Sequence, residues 1–367
     1  MNNNMKKMHE YILTQNIALN ENLLNRKNLT KSLMCEYLNG EYSNVVIVAS
    51  GSSYNASMAV RNFMMNTMGI YVKVITPNTF VYYESKLNDD DFVFVISQSG
   101  CSTNAIQALR KLKIMGRKAI GVTGNPESDF KEESDLMVDY GVNGETIGYV
   151  TKGVTTLFAF LAYFALEAAY SKKNINDARY DEIISELNNA IEMNKEIAAK
   201  MEDFWHKHIK NFTSMKHAFI MGTGPNYGTA LEAALKMSET IQIPCLPIET
   251  EEFIHGFTLQ VNPTYNLFFI DPSDSTSKRV IDLYNSTKKI TDRSYIISNN
   301  LEIDDDRVIS YSKSIVADLT PLAFLPVFQS IAYLTTDSLN IWEKHPLYYI
   351  FKDDVPAKTE KYVDTVA

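Results

Sequence analysis

The segment from Ala230 to Gly256 places two acids and a lysine on one face of an otherwise apolar helix. Glu232, Lys236 and Glu239 are spaced by four and then three residues, which brings their side chains to the same face. If this face lines a pocket, a carboxylate can act as a general base and the ammonium can stabilise an oxyanion. His255, which follows a predicted loop with two prolines, is a candidate acid/base partner. The alternative is a solvent-exposed helix with two supporting ion pairs.

Two serine-rich turns each follow an apolar run with the composition of a buried strand. Their polar residues are Ser52 and Ser53 in the first turn, and Ser97, Gln98, Ser99 and Ser102 in the second. A hydroxyl-rich turn at a helix N-terminus offers free backbone N–H groups and the positive end of the helix dipole, which suit a phosphate monoester. The alternative for either turn is simple helix capping by serine or threonine.

The chain carries a repeated pattern in which an apolar run meets a small-residue turn and then a helix. The sequences V-V-I-V-A-S-G-S-S-Y and A-F-I-M-G-T-G-P-N-Y both follow it, and aligning Gly51 with Gly224 also aligns Tyr54 with Tyr227 at an offset of 173 residues. This offset is close to half the chain, so we interpret the pattern as an internal duplication. A chance similarity between two ordinary strand-to-helix turns is the alternative.

Apolar runs alternate with helical patterns in both halves. The predicted strands are 45–49, 71–75, 92–96, 119–122, 136–139, 218–221, 266–270 and 295–297, and the predicted helices of the first half are 56–68, 104–115 and 155–170. Residues 174–200 are polar and amphipathic and are predicted to form a connecting helix. Such alternation predicts an α/β fold with doubly wound parallel sheets covered by helices on both faces. In such sheets both serine-rich turns would lie at the carboxyl ends of strands, where ligands usually bind.

Composition excludes several classes of protein. The chain has 367 residues, a net charge of -9 and three cysteines, Cys35, Cys101 and Cys245. The negative charge argues against a nucleic-acid partner, and the few, widely spaced cysteines indicate a reducing compartment, so we expect a cytoplasmic protein. The N-terminus lacks the apolar core of a signal peptide. The longest apolar run, 157–166, is about half the length that spans a bilayer and is predicted to be a buried helix, with one stripe in the core and the rest in the core or in an interface.

We expect neither a cofactor nor a metal. Gly222, Gly224 and Gly228 resemble a dinucleotide-binding turn, but the third glycine comes one residue late and no ribose-binding acid follows at the expected position. His206 and His208 are too close to share one helical face, and no carboxylate–histidine pattern lies nearby. We therefore expect both histidines to be solvated.

Four segments together resemble the sugar isomerase (SIS) family. They are the opening segment, G-S-S at 51–53, S-Q-S-G with Ser102 and Thr103 at 97–103, and E-T-I-G-Y-V-T-K at 145–152. The most similar members we can name are the isomerase half of glucosamine-6-phosphate synthase and the fructosamine-type 6-phosphate deglycases. The resemblance implies two flavodoxin-like SIS lobes and covers nearly the whole chain. It implies an N-terminal helical segment at 1–30, SIS domains at 31–172 and 206–345, a connecting helix at 173–205 and a tail at 346–367 that closes on the active site.

The resemblance also implies roles for individual residues. Those matching the family's sugar-phosphate contacts are Ser52, Ser53, Ser97, Gln98, Ser99, Ser102 and Thr151, with either Lys358 or Lys361, in a loosely aligned region, as a tail lysine that closes over the sugar. Glu239 matches the carboxylate that moves a proton between the first and second sugar carbons. Lys236 matches the lysine beside the developing enediol, and Glu232 an accompanying acid. His255 matches a ring-opening histidine that reaches a neighbouring subunit, which implies a homodimer or dimer of dimers with a shared active site.

Departures from the family pattern refine the hypothesis. The synthase carries a glutaminase with a cysteine after its initiator methionine, whereas this chain begins Met1-Asn2-Asn3, so we expect no ammonia from glutamine. Val150 and Phe257 replace a serine and a proline of the family. These changes favour a deglycase that cleaves a 6-phosphorylated fructosamine. A glucosamine-6-phosphate deaminase or isomerase and a non-catalytic sugar-phosphate-binding regulator are the alternatives.

Overall fold

The structure is a computed structural model that describes residues 3–145, 148–300 and 303–362. The chain forms two compact units. The first lobe comprises Ile17–Asp181 and Glu343–Ala367, and the second lobe comprises Met1–Asn16 and Glu182–Trp342. The C-terminal tail expected at 346–367 thus belongs to the first lobe. Thr146 and Ile147 of the E-T-I-G-Y-V-T-K segment lie outside the described residues.

The first half of the chain alternates helices and strands after an N-terminal run of helices. The helices are α1 (Asn3–Leu24), α2 (Arg26–Leu29), α3 (Lys31–Leu38), α4 (Ser52–Met68), α5 (Pro77–Tyr82), α6 (Thr103–Ile114), α7 (Phe130–Glu133) and α8 (Lys152–Ser171). The strands are β1 (Asn44–Ala49), β2 (Tyr71–Ile75), β3 (Asp91–Ser97), β4 (Ile120–Thr123) and β5 (Leu136–Asp139). All pair in parallel, in the order β2-β1-β3-β4-β5.

This strand order creates a topological switch point between β1 and β3. The two strands are neighbours, with Ala49 opposite Ile96 at their carboxyl ends, yet the chain leaves β1 towards β2 on one side and leaves β3 towards β4 on the other. The loops after β1 and β3 therefore open a crevice, which is where ligands bind in open α/β sheets. Both serine-rich turns lie in these two loops.

The second half repeats the scheme. The helices are α9 (Asp177–Lys207), α10 (Ile209–Thr213), α11 (Pro225–Thr240), α12 (Ser277–Thr287), α13 (Thr320–Leu339) and α14 (Leu347–Asp354), with short 3₁₀ turns at Glu252–Ile254, Phe257–Gln260 and Ala317–Leu319. The strands are β6 (Ala218–Gly222), β7 (Cys245–Glu249), β8 (Asn266–Ile270), β9 (Ser294–Ile297) and β10 (Val308–Ile309). Their order, β7-β6-β8-β9-β10, corresponds strand by strand to that of the first sheet. The predicted fold class is confirmed.

The aligned glycines share one backbone conformation. Gly51 has φ 57° and ψ -138°, and Gly224 has φ 54° and ψ -126°, a region that favours glycine because it carries no Cβ. The two turns differ in their partners. In the second lobe the Thr223 hydroxyl donates to Glu249 Oε1 at 2.6 Å, and the other oxygen of Glu249 accepts the N–H groups of the two residues that follow Thr250. The two copies thus share the backbone conformation of the turn but differ in the hydrogen-bond partners of its side chains.

Two expectations from the sequence are wrong. The stretch with two prolines before His255 was expected to be a loop, but it contains β7, which tolerates Pro247 because it is an edge strand. His208 was expected to be solvated, but it is only 9% exposed and its Nε2 lies 3.0 Å from the Asp306 carbonyl oxygen. Helix α8, by contrast, was predicted to be buried, and it is buried on every side from Lys152 to Ala169.

Two apolar helices form central layers of the lobes. Residues Lys152–Ser171 and Ala317–Leu339 are long and apolar enough to cross a bilayer, but 94% of each span is buried inside the protein. Helix α8 packs on α4 in the first lobe, and α13 packs on α11 in the second. Each helix therefore supports the element that begins at the duplicated turn of its own lobe.

Candidate functional site

The loop that follows β3, residues Ser97–Ser102, is here called the serine loop. Its hydroxyls are tied together, since Ser97 Oγ lies 3.1 Å from Ser102 Oγ and accepts the Gly100 N–H at 3.2 Å. Gly100 has φ +63°, and a Cβ there would come within 1.8 Å of Ser128 Oγ. Only glycine fits this position, so the sequence S-Q-S-G fixes the path of the loop into α6.

The turn after β1 lies beside the serine loop. Ser52 and Ser53 open α4 and are 8% and 6% exposed. Ser50 accepts a long hydrogen bond of 3.5 Å from Asn104, in the first turn of α6. The structure thus brings together the two serine-rich turns that the sequence predicted to share the carboxyl edge of one sheet.

The C-terminal tail brings a lysine to the serine loop. Lys358 Nζ donates to Ser99 Oγ at 2.9 Å and to Ser102 Oγ at 2.8 Å, and Lys358 forms an antiparallel bridge with Ser102. Lys361, the other candidate, instead pairs with Asp129 and Glu132. Of the two tail lysines, Lys358 is therefore the one placed to contact a ligand at the serine loop.

The charge of Lys358 has hydroxyl partners but no counter-ion. Within the described residues its ammonium makes no ion pair, and burial lowers its pKa. It also lies at the N-terminal end of α6, where the helix dipole is positive. A cation and a helix N-terminus that face the same space repel one another, and a bound anion would satisfy both.

A cavity of about 560 Å³ opens beside the serine loop. Its walls include Gln98, Ser99, Lys358 and Lys361 from the predicted residues, together with Cys101, Asn125, Asp139, Glu145 and Tyr362, which sequence reasoning did not assign to a site. Thr151 does not line this cavity. It is fully buried, and its hydroxyl donates to the Tyr149 carbonyl oxygen at 2.8 Å, so its role as a sugar contact stays a prediction.

Glu145 joins the serine loop to the start of α8. Its Oε1 accepts the N–H groups of Thr151 and Lys152 at 2.9 and 2.7 Å, and its Oε2 accepts the Gly153 N–H and the Gln98 amide, both at 3.0 Å. The carboxylate therefore caps α8 and fixes Gln98 at the same time. A Cβ at Gly153 would come within 2.7 Å of Glu145 Oε2, which explains the glycine.

Helix α11 of the second lobe carries the acid–lysine–acid face. Glu232 and Lys236 are 1% and 0% exposed, and the Glu239 side chain is 29% exposed. Lys236 Nζ lies 3.7 Å from Glu232 Oε1 and 2.5 Å from Glu239 Oε1. This face is not a solvated one, so the alternative of a surface helix with ion pairs is wrong. The burial leaves Glu239 as the member of the three that a ligand can reach.

His255 is not joined to these groups in the described residues. It follows the 3₁₀ turn Glu252–Ile254 and is exposed, and there its side chain makes no hydrogen bond or ion pair. The serine loop and Lys358 belong to the first lobe, whereas Glu239 and His255 belong to the second. The assignments of catalytic roles therefore remain predictions.

Comparisons with known proteins identify relatives along most of the chain. The family model described as SIS domain matches residues 41–166 and 211–301. Glutamine--fructose-6-phosphate aminotransferase [isomerizing] 2 of Homo sapiens is 30% identical over 212 residues, which cover 58% of this chain and 31% of the relative. A candidate phosphosugar isomerase structure from Clostridium difficile 630 superposes with a TM-score of 0.85 at 22% identity, covering 94% of this chain and 97% of that one.

A second solved structure has a related fold. The C-terminal domain of glucosamine-fructose-6-phosphate aminotransferase from Francisella tularensis has a TM-score of 0.79 at 20% identity and covers 90% of this chain and 94% of that one. The chain spans 31% to 56% of the length of the curated relatives it matches. The structural likenesses establish the fold, and the family model matches more than half of the sequence. The resemblance seen in the serine-rich motifs is thus confirmed, and the chain belongs to the SIS domain family.

Proposed function

We propose that this chain is an enzyme that acts on a phosphorylated sugar, with the phosphate bound at the serine loop. The observation that carries the proposal is the Lys358 ammonium, which meets two serine hydroxyls and a helix N-terminus without an acidic partner among the described residues. A phosphate monoester suits this set of donors because it is a compact dianion with several acceptor oxygens. The family relationship and the relatives' sugar-phosphate names support the same substrate class.

The acid–lysine–acid face of α11 supports proton transfer as the reaction. A 1,2 proton shift on an open-chain sugar needs a mobile base and a fixed positive charge beside the developing oxyanion. Glu239 is accessible enough to be the base, and buried Lys236 is held between Glu239 and Glu232. The proposal requires a sugar anchored at the serine loop to present its first carbon to Glu239 of the same or another copy of the chain.

The reaction we favour is cleavage of a 6-phosphorylated fructosamine. His255 assists ring opening, Glu239 removes a proton from the first carbon, and Lys236 stabilises the oxygen on the second. Return of the proton to the second carbon gives an imine at the first. Water then adds to the imine and releases glucose 6-phosphate and the free amine, so one water is consumed and no redox change occurs. Exposed His255 is compatible with action in a neighbouring subunit, and we propose a cytoplasmic homo-oligomer.

The experiment that tests the proposal measures products from a panel of phosphorylated substrates. Fructosamine 6-phosphates should yield glucose 6-phosphate and an amine in a coupled assay. Release of ammonia from glucosamine 6-phosphate would instead favour a deaminase, and binding without any product would favour a regulator.

The role of Glu239 is tested separately. Glu239→Gln should lower kcat by at least about a hundredfold and retain substrate binding, because general base catalysis contributes about 10²–10⁴ in rate. Glu202→Gln, which changes an exposed carboxylate on α9 of the same lobe, is the matched control. Normal turnover in Glu239→Gln would refute the assignment.

A further inference from the structure

The tail that carries Lys358 is fastened to the first lobe at a second point. Asp129, at the start of α7, accepts a hydrogen bond from the Thr359 hydroxyl and forms an ion pair with Lys361 at 3.1 Å. Lys361 also donates to Glu132 at 2.8 Å. We propose that Asp129 is a positioning residue that latches the tail and so sets Lys358 on the phosphate, an inference that rests on the proposed function of the serine loop.

The backbone geometry around Lys358 makes a latch effective. The Thr103 N–H donates to the Ala357 carbonyl oxygen at 3.2 Å, and the Thr359 N–H donates to the Cys101 carbonyl oxygen at 2.9 Å. Lys358 is therefore held between two backbone hydrogen bonds, and the Asp129 contacts begin at the next residue. Because the latch begins at the residue that follows Lys358, an opening at Asp129 is transmitted directly to Lys358.

Asp129 is flanked by buried residues that fix its position. Its neighbours Ser128 and Phe130 are 2% and 0% exposed, and the Ser128 hydroxyl donates to the Asn125 carbonyl oxygen at 2.6 Å. The Asp129 side chain is 15% exposed. The hydrogen bond from Thr359 and the ion pair with Lys361 lower its pKa, so the carboxylate stays charged at neutral pH.

The part of the tail that precedes Lys358 has few buried contacts. Helix α14 has no buried residue, and Leu347, Ile350 and Phe351 are each more than half exposed. A segment with so few buried contacts opens readily unless polar contacts hold it. The Asp129 latch thus reduces the conformational freedom that Lys358 must lose when it binds an anion, which raises affinity without a new contact to the ligand.

The test compares Asp129→Asn with Glu127→Gln, which removes a carboxylate two residues away that pairs only with exposed Lys131 among the described residues. Limited trypsinolysis of the full chain, mapped by mass spectrometry, reports tail opening as cleavage after Lys358 and Lys361. Calorimetric titration with inorganic phosphate and with glucose 6-phosphate reports anion affinity. We expect Asp129→Asn to be cleaved about fivefold faster and to bind both anions about fivefold more weakly, because cleavage of an opened segment follows its population. Glu127→Gln should match the wild type.

Two further variants keep the test decisive. Thr359→Val removes a latch bond from the tail side and should reproduce the direction of both effects, while Asp129→Glu should restore much of the affinity. Where turnover is measurable, KM should rise about as much as the anion affinity falls, with a smaller change in kcat. Equal cleavage and equal affinity in Asp129→Asn and the wild type would overturn the latch. Faster cleavage with unchanged affinity would overturn its positioning role. Neither measurement needs turnover, so failure of the proposed reaction is distinguishable from failure of the latch.

Discussion

Replacing Glu145 with glutamine tests whether one carboxylate organises both the start of α8 and the wall of the cavity. Hydrogen bonds that the carboxylate accepts in the described part of the chain include three from the backbone N–H groups of Thr151, Lys152 and Gly153 and one from Gln98. A glutamine keeps one acceptor oxygen and turns an NH₂ group towards donors. The substitution therefore removes two charge-assisted hydrogen bonds and the favourable negative charge at a helix N-terminus. We expect the free energy of unfolding of the first lobe to fall by about 2–3 kcal/mol, a value reduced for solvent screening because Glu145 is half-buried.

Thermal unfolding and anion titration together measure this effect. For a unit of this size the cost corresponds to a fall in melting temperature of about 4–12 °C. Because Gln98 loses its partner, the affinity for inorganic phosphate should also fall. Hydrogen exchange should rise at the amides of Thr151, Lys152 and Gly153. Glu127→Gln serves as the control, since an exposed pair contributes about 0–1 kcal/mol. An unchanged melting temperature with unchanged exchange at these three amides would refute the role of Glu145.

Two further substitutions test separate interactions. Lys358→Met should weaken phosphate binding in calorimetry by about tenfold, since a hydrogen bond to a charged group contributes about 1.5–3 kcal/mol; equal affinity would exclude Lys358 from the anion site. The Asp305 side chain is 7% exposed and accepts hydrogen bonds from Lys288 and Arg307. Asp305→Asn should therefore lower the free energy of unfolding, measured in urea at pH 7, by about 2–3 kcal/mol. The control Asp306→Asn, at an exposed side chain, should leave it unchanged. Burial opposes ionisation of Asp305, but these bonds prevail and hold its pKa below the ordinary range, so the difference should persist above about pH 4 and disappear as the pH falls towards the lower folded value.

The fold was predictable from the sequence because buried parallel strands leave long apolar runs. The strands 71–75, 136–139 and 266–270 were predicted with the bounds observed. The strand at Cys245–Glu249 was missed because Pro247 interrupts the pattern, and Val308–Ile309 was missed because two residues carry no periodicity. An edge strand pairs on one side only and needs fewer apolar residues than a central strand. Its sequence is therefore a weaker signal for predicting a strand.

The site was predictable only where its chemistry is local. The residues of the serine loop are contiguous and those of the acid–lysine–acid face are helically spaced, so each grouping could be predicted from the sequence. The capping role of Glu145 acts across a loop onto a helix that begins at Lys152, and Asp129 meets the tail 230 residues later. Neither contact follows a short-range spacing rule, and both depend on where the sheet brings separate loops. The only hint of the Glu145 contact in the sequence was a glutamate shortly before residues 151–153, where α8 begins.

The Thr223–Glu249 contact means that the two copies of the turn have diverged in electrostatics while their shape is retained. At the position of Ser52, the second copy has Pro225, which lacks an N–H, and the neighbouring hydroxyl of Thr223 is engaged by a carboxylate of the protein itself. In the second copy, the carboxylate of Glu249 supplies negative charge at the turn. In the first copy, the proposed function assigns that place to the phosphate of the substrate. The two copies of one ancestral turn therefore differ in charge, and the first copy is the one that belongs to the phosphate site proposed above.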